Sequence, residues 1–196
     1  RGLGDVYKRQ EYQSLLKSND YNLVYKKAIE YYNKGDYQRA MNLLDGVRSV
    51  FVGQAKAQNI AYYRAFCSYN MKDYQIASDL FKQFIQTYPE SSFAEECLYM
   101  MGFCDYKASP KPRLDQQVTE KAIREFQLYL SRYPYSMRKD KVNTYMDEMR
   151  DKLSYKAYLS AKNYYLREHY KAAVISLQNC LKDYPGSKYR EEIMYM

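Results

Sequence analysis

The chain has 196 residues, a formal net charge of +8, 26 tyrosines, no tryptophan, seven glycines and five prolines. A composition so rich in aromatics and poor in breakers predicts long helices rather than many short strands. Arg1, Asp5, Lys8 and Arg9 supply +2 of the charge, and the remaining +6 is too scattered to build the basic field that a nucleic-acid binder needs. The sequence also lacks the run of about 20 apolar residues that a membrane-spanning helix requires.

In chain order, residues 1–10 (RGLGDVYKRQ) carry two glycines and no hydrophobic period, and are read as a non-native head. Residues 11–21 are expected to form an N-terminal extended segment. From there the sequence repeats itself, and an internal repeat decides the fold class before any single element does. Tyr31-Tyr32-Asn33-Lys34-Gly35-Asp36-Tyr37 with Ala40 matches Ser68-Tyr69-Asn70-Met71-Lys72-Asp73-Tyr74 with Ala77, 37 residues on. Tyr164 to Tyr170 with Ala173 is a third copy. The phrase Tyr-Pro-x-Ser recurs at Tyr88, Tyr133 and Tyr184. Its proline cannot continue a preceding helix and its serine can cap the next one, so each occurrence closes one unit and opens another. Ser92 with Glu95 reads as a capping box.

Ala65, Ala77 and Pro89 are spaced by twelve residues, as are Ala161, Ala173 and Pro185, while Ala28 and Ala40 keep the interval without the proline. Small side chains are needed where two helices cross closely. The pattern resembles the tetratricopeptide repeat. The resemblance implies an all-α right-handed superhelix, an α-solenoid, with repeats near 22–53, 54–90, 91–135 and 136–186 and a partial fifth at 187–196, together one domain from residue 22. One short helical turn is not expected to cap a solenoid, so the fifth unit is read as incomplete.

The third and fourth units depart from the period. Gly102 and its partner Ala122 are twenty residues apart, which places an eight-residue insertion within Lys107 to Val118. Long loops on a regular scaffold are functional candidates, and Arg113, Asp115 and Gln116 are the expected partner contacts there. The fourth unit is longer by fourteen residues, close to four helical turns, so Arg138 to Leu166 is expected to form one helix of roughly 43 Å. Val142, Tyr145, Met149 and Leu153 give it an apolar face.

Catalytic and metal chemistry find no support. Cys67, Cys97, Cys104 and Cys180 include no Cys-x-x-Cys pair, the single histidine is His169, and neither zinc ligation nor any cofactor is indicated. His169 aligns with Asp36 and Asp73 as a turn residue, no nucleophile motif or phosphate loop accompanies it, and the reading is non-enzymatic.

The first helices of the repeats carry a recurring stripe: Tyr25, Ile29, Tyr32; Tyr62, Phe66, Tyr69; Tyr99, Phe103, Tyr106; Tyr158, Lys162, Tyr165. Spacings of four and three keep each set on one face. Tyrosine offers contact area with a hydroxyl that water or a peptide group can satisfy, so Tyr25, Tyr32, Tyr62, Phe66, Tyr69, Tyr99, Phe103 and Tyr106 are the candidate peptide-binding groove.

EYQSLLKSNDY at Glu11 to Tyr21, PRLDQ at Pro112 to Gln116 and RYPYS at Arg132 to Ser136, in this order and with the lengthened fourth helix, resemble the BamD (ComL/YfiO) family of outer-membrane protein assembly lipoproteins. The resemblance implies a scaffold tethered by a lipidated cysteine to the periplasmic face of the outer membrane. The resemblance places that cysteine just before Glu11, whereas the first cysteine here is Cys67, so the anchor is expected to lie outside these 196 residues. The implied partners are a BamA-like barrel insertase, other lipoproteins of the assembly complex and unfolded outer-membrane proteins. Another periplasmic or cytosolic repeat adaptor with different protein partners is the alternative.

Overall fold

The structure is a computed structural model that describes the backbone of residues 3–196 and side chains from residue 9 onward. Of the expected head at 1–10, residues 1 and 2 lie outside the described residues, and the backbone of residues 3–10 is helical. Ten helices and no strand are found among the described residues, as expected for an all-α chain: α1 (Leu3–Leu16), α2 (Tyr21–Asn33), α3 (Tyr37–Val47), α4 (Ala55–Asn70), α5 (Tyr74–Thr87), α6 (Ala94–Ala108), α7 (Gln117–Arg132), α8 (Lys139–Leu166), α9 (Tyr170–Asp183) and α10 (Arg190–Tyr195). The chain groups into two compact units, one ending at Cys104 and one running from Asp105 to Met196.

In the N-terminal unit, α2 packs on α3 and α4 on α5. The turns between the paired helices explain the repeated phrase. Gly35 has φ +80°, and its equivalents Lys72 and Glu168 hold φ 68° and 64°. Glycine adopts this left-handed conformation without the steric cost that Lys72 and Glu168 bear. The next residue in each copy is an N-cap: Asp36 accepts from the Arg39 N–H at 3.3 Å, and Asp73 and His169 occupy the same position before α5 and α9. Ala28, Ala40, Ala65 and Ala77 are at 0% exposure. A larger side chain at such a crossing would push the helices apart or force strained rotamers.

The segment expected to be extended is helical through Leu16. The physical reason lies in tertiary packing. Leu15 is buried in the cluster with Val24, Leu43, Leu44 and Val47, and the Tyr12 ring meets Tyr31 edge-on at 6.1 Å while its hydroxyl accepts from Asn42 at 3.0 Å. An amphipathic turn too short to be stable alone is held by the face it buries.

In the C-terminal unit, α8 spans 28 residues, as the fourteen-residue extension predicts. Val142 and Met149 are fully buried, and Tyr145 stacks on Tyr106 at 4.5 Å and on Phe126 at 5.9 Å. Ala161, Leu177, Cys180 and Ile193 join α8, α9 and α10 in one cluster. In the Tyr-Pro-x-Ser turns the serine hydroxyl accepts the N–H two residues ahead, from Phe93, Arg138 and Tyr189, each at 3.2 Å. The turn-closing oxygen before α6 is thus that of Ser91 rather than the expected Ser92.

The insertion is a fixed loop. Gln116, expected as a partner contact, is 3% exposed and points inward, so it does not serve as one. Its Nε2 donates to the carbonyls of Lys111 at 2.8 Å and Leu114 at 3.1 Å, and its Oε1 accepts from Thr119 at 2.8 Å. From α8, Lys152 donates to Ser109 Oγ at 2.6 Å and Lys156 to the Leu114 carbonyl at 2.8 Å. Gln116→Ala leaves buried polar groups unpaired and is expected to cost about 1–3 kcal/mol in urea unfolding followed by circular dichroism. A loss below about 0.5 kcal/mol would mean that water replaces the staple without cost.

Candidate functional site

The N-terminal unit carries a hollow of about 520 Å³ between α2 and α4, lined by Tyr25, Lys26, Ile29, Glu30, Asn33, Asn59, Tyr62, Tyr63 and Phe93. Tyr25, Ile29 and Asn33 share one stripe of α2, while Asn59, Tyr62 and Tyr63 come from α4. Of the expected groove residues, only Tyr25 and Tyr62 line it.

The other stripe residues are spent largely on one another. Tyr32 sits edge-on to Tyr37 at 5.5 Å and to Tyr63 at 4.9 Å; Phe66 lies 4.5 Å from Tyr62 and 5.1 Å from Phe81; Tyr69 meets Phe103 at 6.2 Å. Tyr99 stacks on Phe103 at 5.7 Å and is only 8% exposed. Centroid separations of 4.5–7 Å are the preferred aromatic range, so rings on neighbouring helices bury each other before they meet a partner. Tyr106 belongs to the C-terminal unit and donates to Glu148. Arg113 and Asp115 are exposed on the insertion, where Asp115 Oδ1 accepts from the Gln117 N–H at 3.3 Å.

A second regularity explains where the hollow opens. Tyr62 donates to Glu96, 34 residues later, at 2.9 Å, and Tyr158 donates to Glu192, again 34 later. The equivalent pair in the first unit is Tyr25 and Asn59, and among the described residues these make no such bond. That tyrosine bridge is absent there; Lys56 of α4 instead donates to Asn22 Oδ1 of α2 at 2.5 Å, and the space beside Tyr25 is left open.

The sequence reading missed Lys26, Glu30, Asn33, Asn59, Tyr63 and Phe93, Glu30 being paired with Lys27 at 3.2 Å. Asn59 and Asn33 were within reach: each lies on an already recognised stripe, one turn before Tyr62 and one turn after Ile29. Phe93 was not, because it enters from a turn outside any helix.

Chemically the hollow is an apolar floor with a polar rim. Burial, reinforced by the Glu96 carboxylate, pushes the Tyr62 hydroxyl far up, so it stays a neutral donor. Burial likewise pushes Tyr32 up to about 12, and the buried thiols of Cys67 and Cys97 to about 12. Such thiols are not nucleophiles near neutral pH. The primary amides of Asn33 and Asn59 both donate and accept, which matches a peptide backbone, and Lys26 supplies a cation. Among the described residues no cluster of candidate metal ligands occurs and no helix is long and apolar enough to cross a membrane.

A family profile described as YfiO, outer membrane lipoprotein, matches residues 17–196. The chain belongs to this family. The match takes in the N-terminal unit after α1, the whole C-terminal unit, the fixed insertion and the long α8 helix. YfiO proteins are outer-membrane assembly lipoproteins rather than enzymes. No curated protein matches the chain.

Proposed function

We propose that this chain is a scaffold of the outer-membrane β-barrel assembly machinery that holds segments of unfolded outer-membrane proteins in the α2–α4 hollow. In this reading it is carried at the periplasmic face by a lipid anchor and partnered by a BamA-like insertase and other lipoproteins of the complex. The observation that supports cargo binding is the hollow itself. Its aromatic and aliphatic floor suits an aromatic side chain, its two free amides suit the backbone, and Lys26 suits a terminal carboxylate. Concave, mostly apolar sites with a few convergent polar groups are what peptide segments use.

The test is titration of labelled peptides taken from barrel-protein C-termini. Tyr25→Ala together with Ile29→Ala is expected to weaken binding by about tenfold or more, the range for truncating anchors in a desolvated pocket. Asn59→Ala, at the rim, should give a smaller loss. Affinity unchanged in the Tyr25/Ile29 variant would sink the proposal.

A further inference from the structure

The three Tyr-Pro-x-Ser turns provide an internal comparison. Their recurring residues do the structural work: the tyrosine N–H donates four residues back at 2.8, 2.8 and 3.0 Å, and the serine N–H donates to the tyrosine carbonyl at 3.2, 3.2 and 3.0 Å. The positions flanking the serine do none of it. They are Glu90 and Ser92 in the first copy and Gly186 and Lys188 in the third. In the middle copy they are Tyr135 and Met137, which are 97% and 103% exposed.

Two large apolar side chains thus project from a turn that does not need them. The turn holds them firmly, since Tyr129 Oη and Ser136 Oγ are 2.6 Å apart and Ser136 also accepts from the Arg138 N–H. Arg132, Arg138, Lys139 and Lys141 flank the tip in sequence, and Asp140 is the only acid between residues 132 and 141.

We propose that this turn is a membrane-contact site that inserts Tyr135 and Met137 into the headgroup layer of an anionic phospholipid surface, with the four cations lying over the headgroups. Charge complementarity identifies the occupant: the tip is cationic, and anionic lipid attracts clustered Lys and Arg. Tyrosine is a favoured residue at the membrane–water interface, with its ring in the apolar boundary and its hydroxyl in water. Side chains at nearly full exposure can enter a lipid boundary without any pocket having to be built around them. The chain belongs to a family of outer membrane lipoproteins, so a lipid surface lies close to it.

The experiment uses the full chain with vesicles of phosphatidylcholine, alone or mixed two-to-one with phosphatidylglycerol. Flotation is expected with the anionic vesicles and weakly or not at all with the neutral ones, falling as salt is raised. Tyr135→Ser combined with Met137→Ser should lower partitioning by about tenfold or more, with circular dichroism unchanged because neither side chain is packed. The chain has no tryptophan, so Tyr135→Trp places a single tryptophan at the tip, excited selectively beyond the tyrosine absorption band. Its fluorescence should shift to the blue on adding anionic vesicles. Absence of flotation, equal partitioning of wild type and the double variant, or an unshifted emission would each overturn the proposal and leave a protein partner as the use of this tip.

Discussion

Replacing Glu125 by Gln is expected to stabilise the C-terminal unit at pH 8 and to flatten its pH dependence. Glu125 on α7 is 8% exposed and its Oε2 has no hydrogen-bond partner, while Asp105 near the end of α6 is 2% exposed. One half-exposed cation serves both carboxylates: Lys121 Nζ lies 2.9 Å from Asp105 and 3.6 Å from Glu125. Burial, then the neighbouring Asp105, pushes Glu125 up to about 8 against the opposing pull of Lys121. The group thus holds its proton in the folded state and releases it near the ordinary value of about 4.5 in the unfolded chain. The stability this confers is fully present below pH 4.5 and is lost as pH rises toward 8, since the unfolded state then binds fewer protons than the folded one. The slope from one such group is at most about 1.4 kcal/mol per pH unit. Removing the ionisable group removes that slope while keeping the shape. Urea unfolding of wild type and Glu125→Gln between pH 5 and 9 decides it. Parallel pH profiles would show that the buried pair carries no linked proton.

Phe81→Ala is expected to cost about 3–5 kcal/mol, the usual range for deleting a fully buried ring. Phe81 on α5 is at 0% exposure and supports Phe66 of α4, which lies against Tyr62 on the wall of the hollow. The cavity left behind should therefore loosen the site as well as the core, and peptide affinity should fall together with stability. Ile76→Ala on the same helix is the control. Ile76 is 56% exposed, and its truncation should stay within about 0.5 kcal/mol. Chemical denaturation of the three proteins tests the contrast. A Phe81→Ala loss no larger than that of Ile76→Ala would show that α5 does not support α4 through this ring.

Much of the architecture was legible because helix crossings and turns impose chemistry at fixed intervals. Ala65, Ala77 and Pro89 recur at twelve-residue steps since only small residues fit the crossing and only a breaker ends the second helix. The length of α8 followed from a whole number of helical turns. The site was less legible. Tyr25 and Tyr62 look alike in sequence, yet the hydroxyl of Tyr62 is engaged by Glu96 and the region around Tyr25 opens into the hollow. The deciding residue, Asn59 in place of a glutamate, lies 34 positions away.

Local periodicity and fixed spacing were enough to read the helical pattern, the position of the insertion, the extension of α8 and the family from the residues alone. The tertiary structure alone decided which aromatics face each other and which face a cavity, that Gln116 is a staple rather than a contact, and that the segment after residue 11 docks as a helix. Those outcomes depend on partners far along the chain, such as Lys152 and Lys156 reaching Ser109 and Leu114. A side chain's type sets what it can bind, and the helix that packs opposite it sets whether that capacity is used inside the fold or left for another molecule.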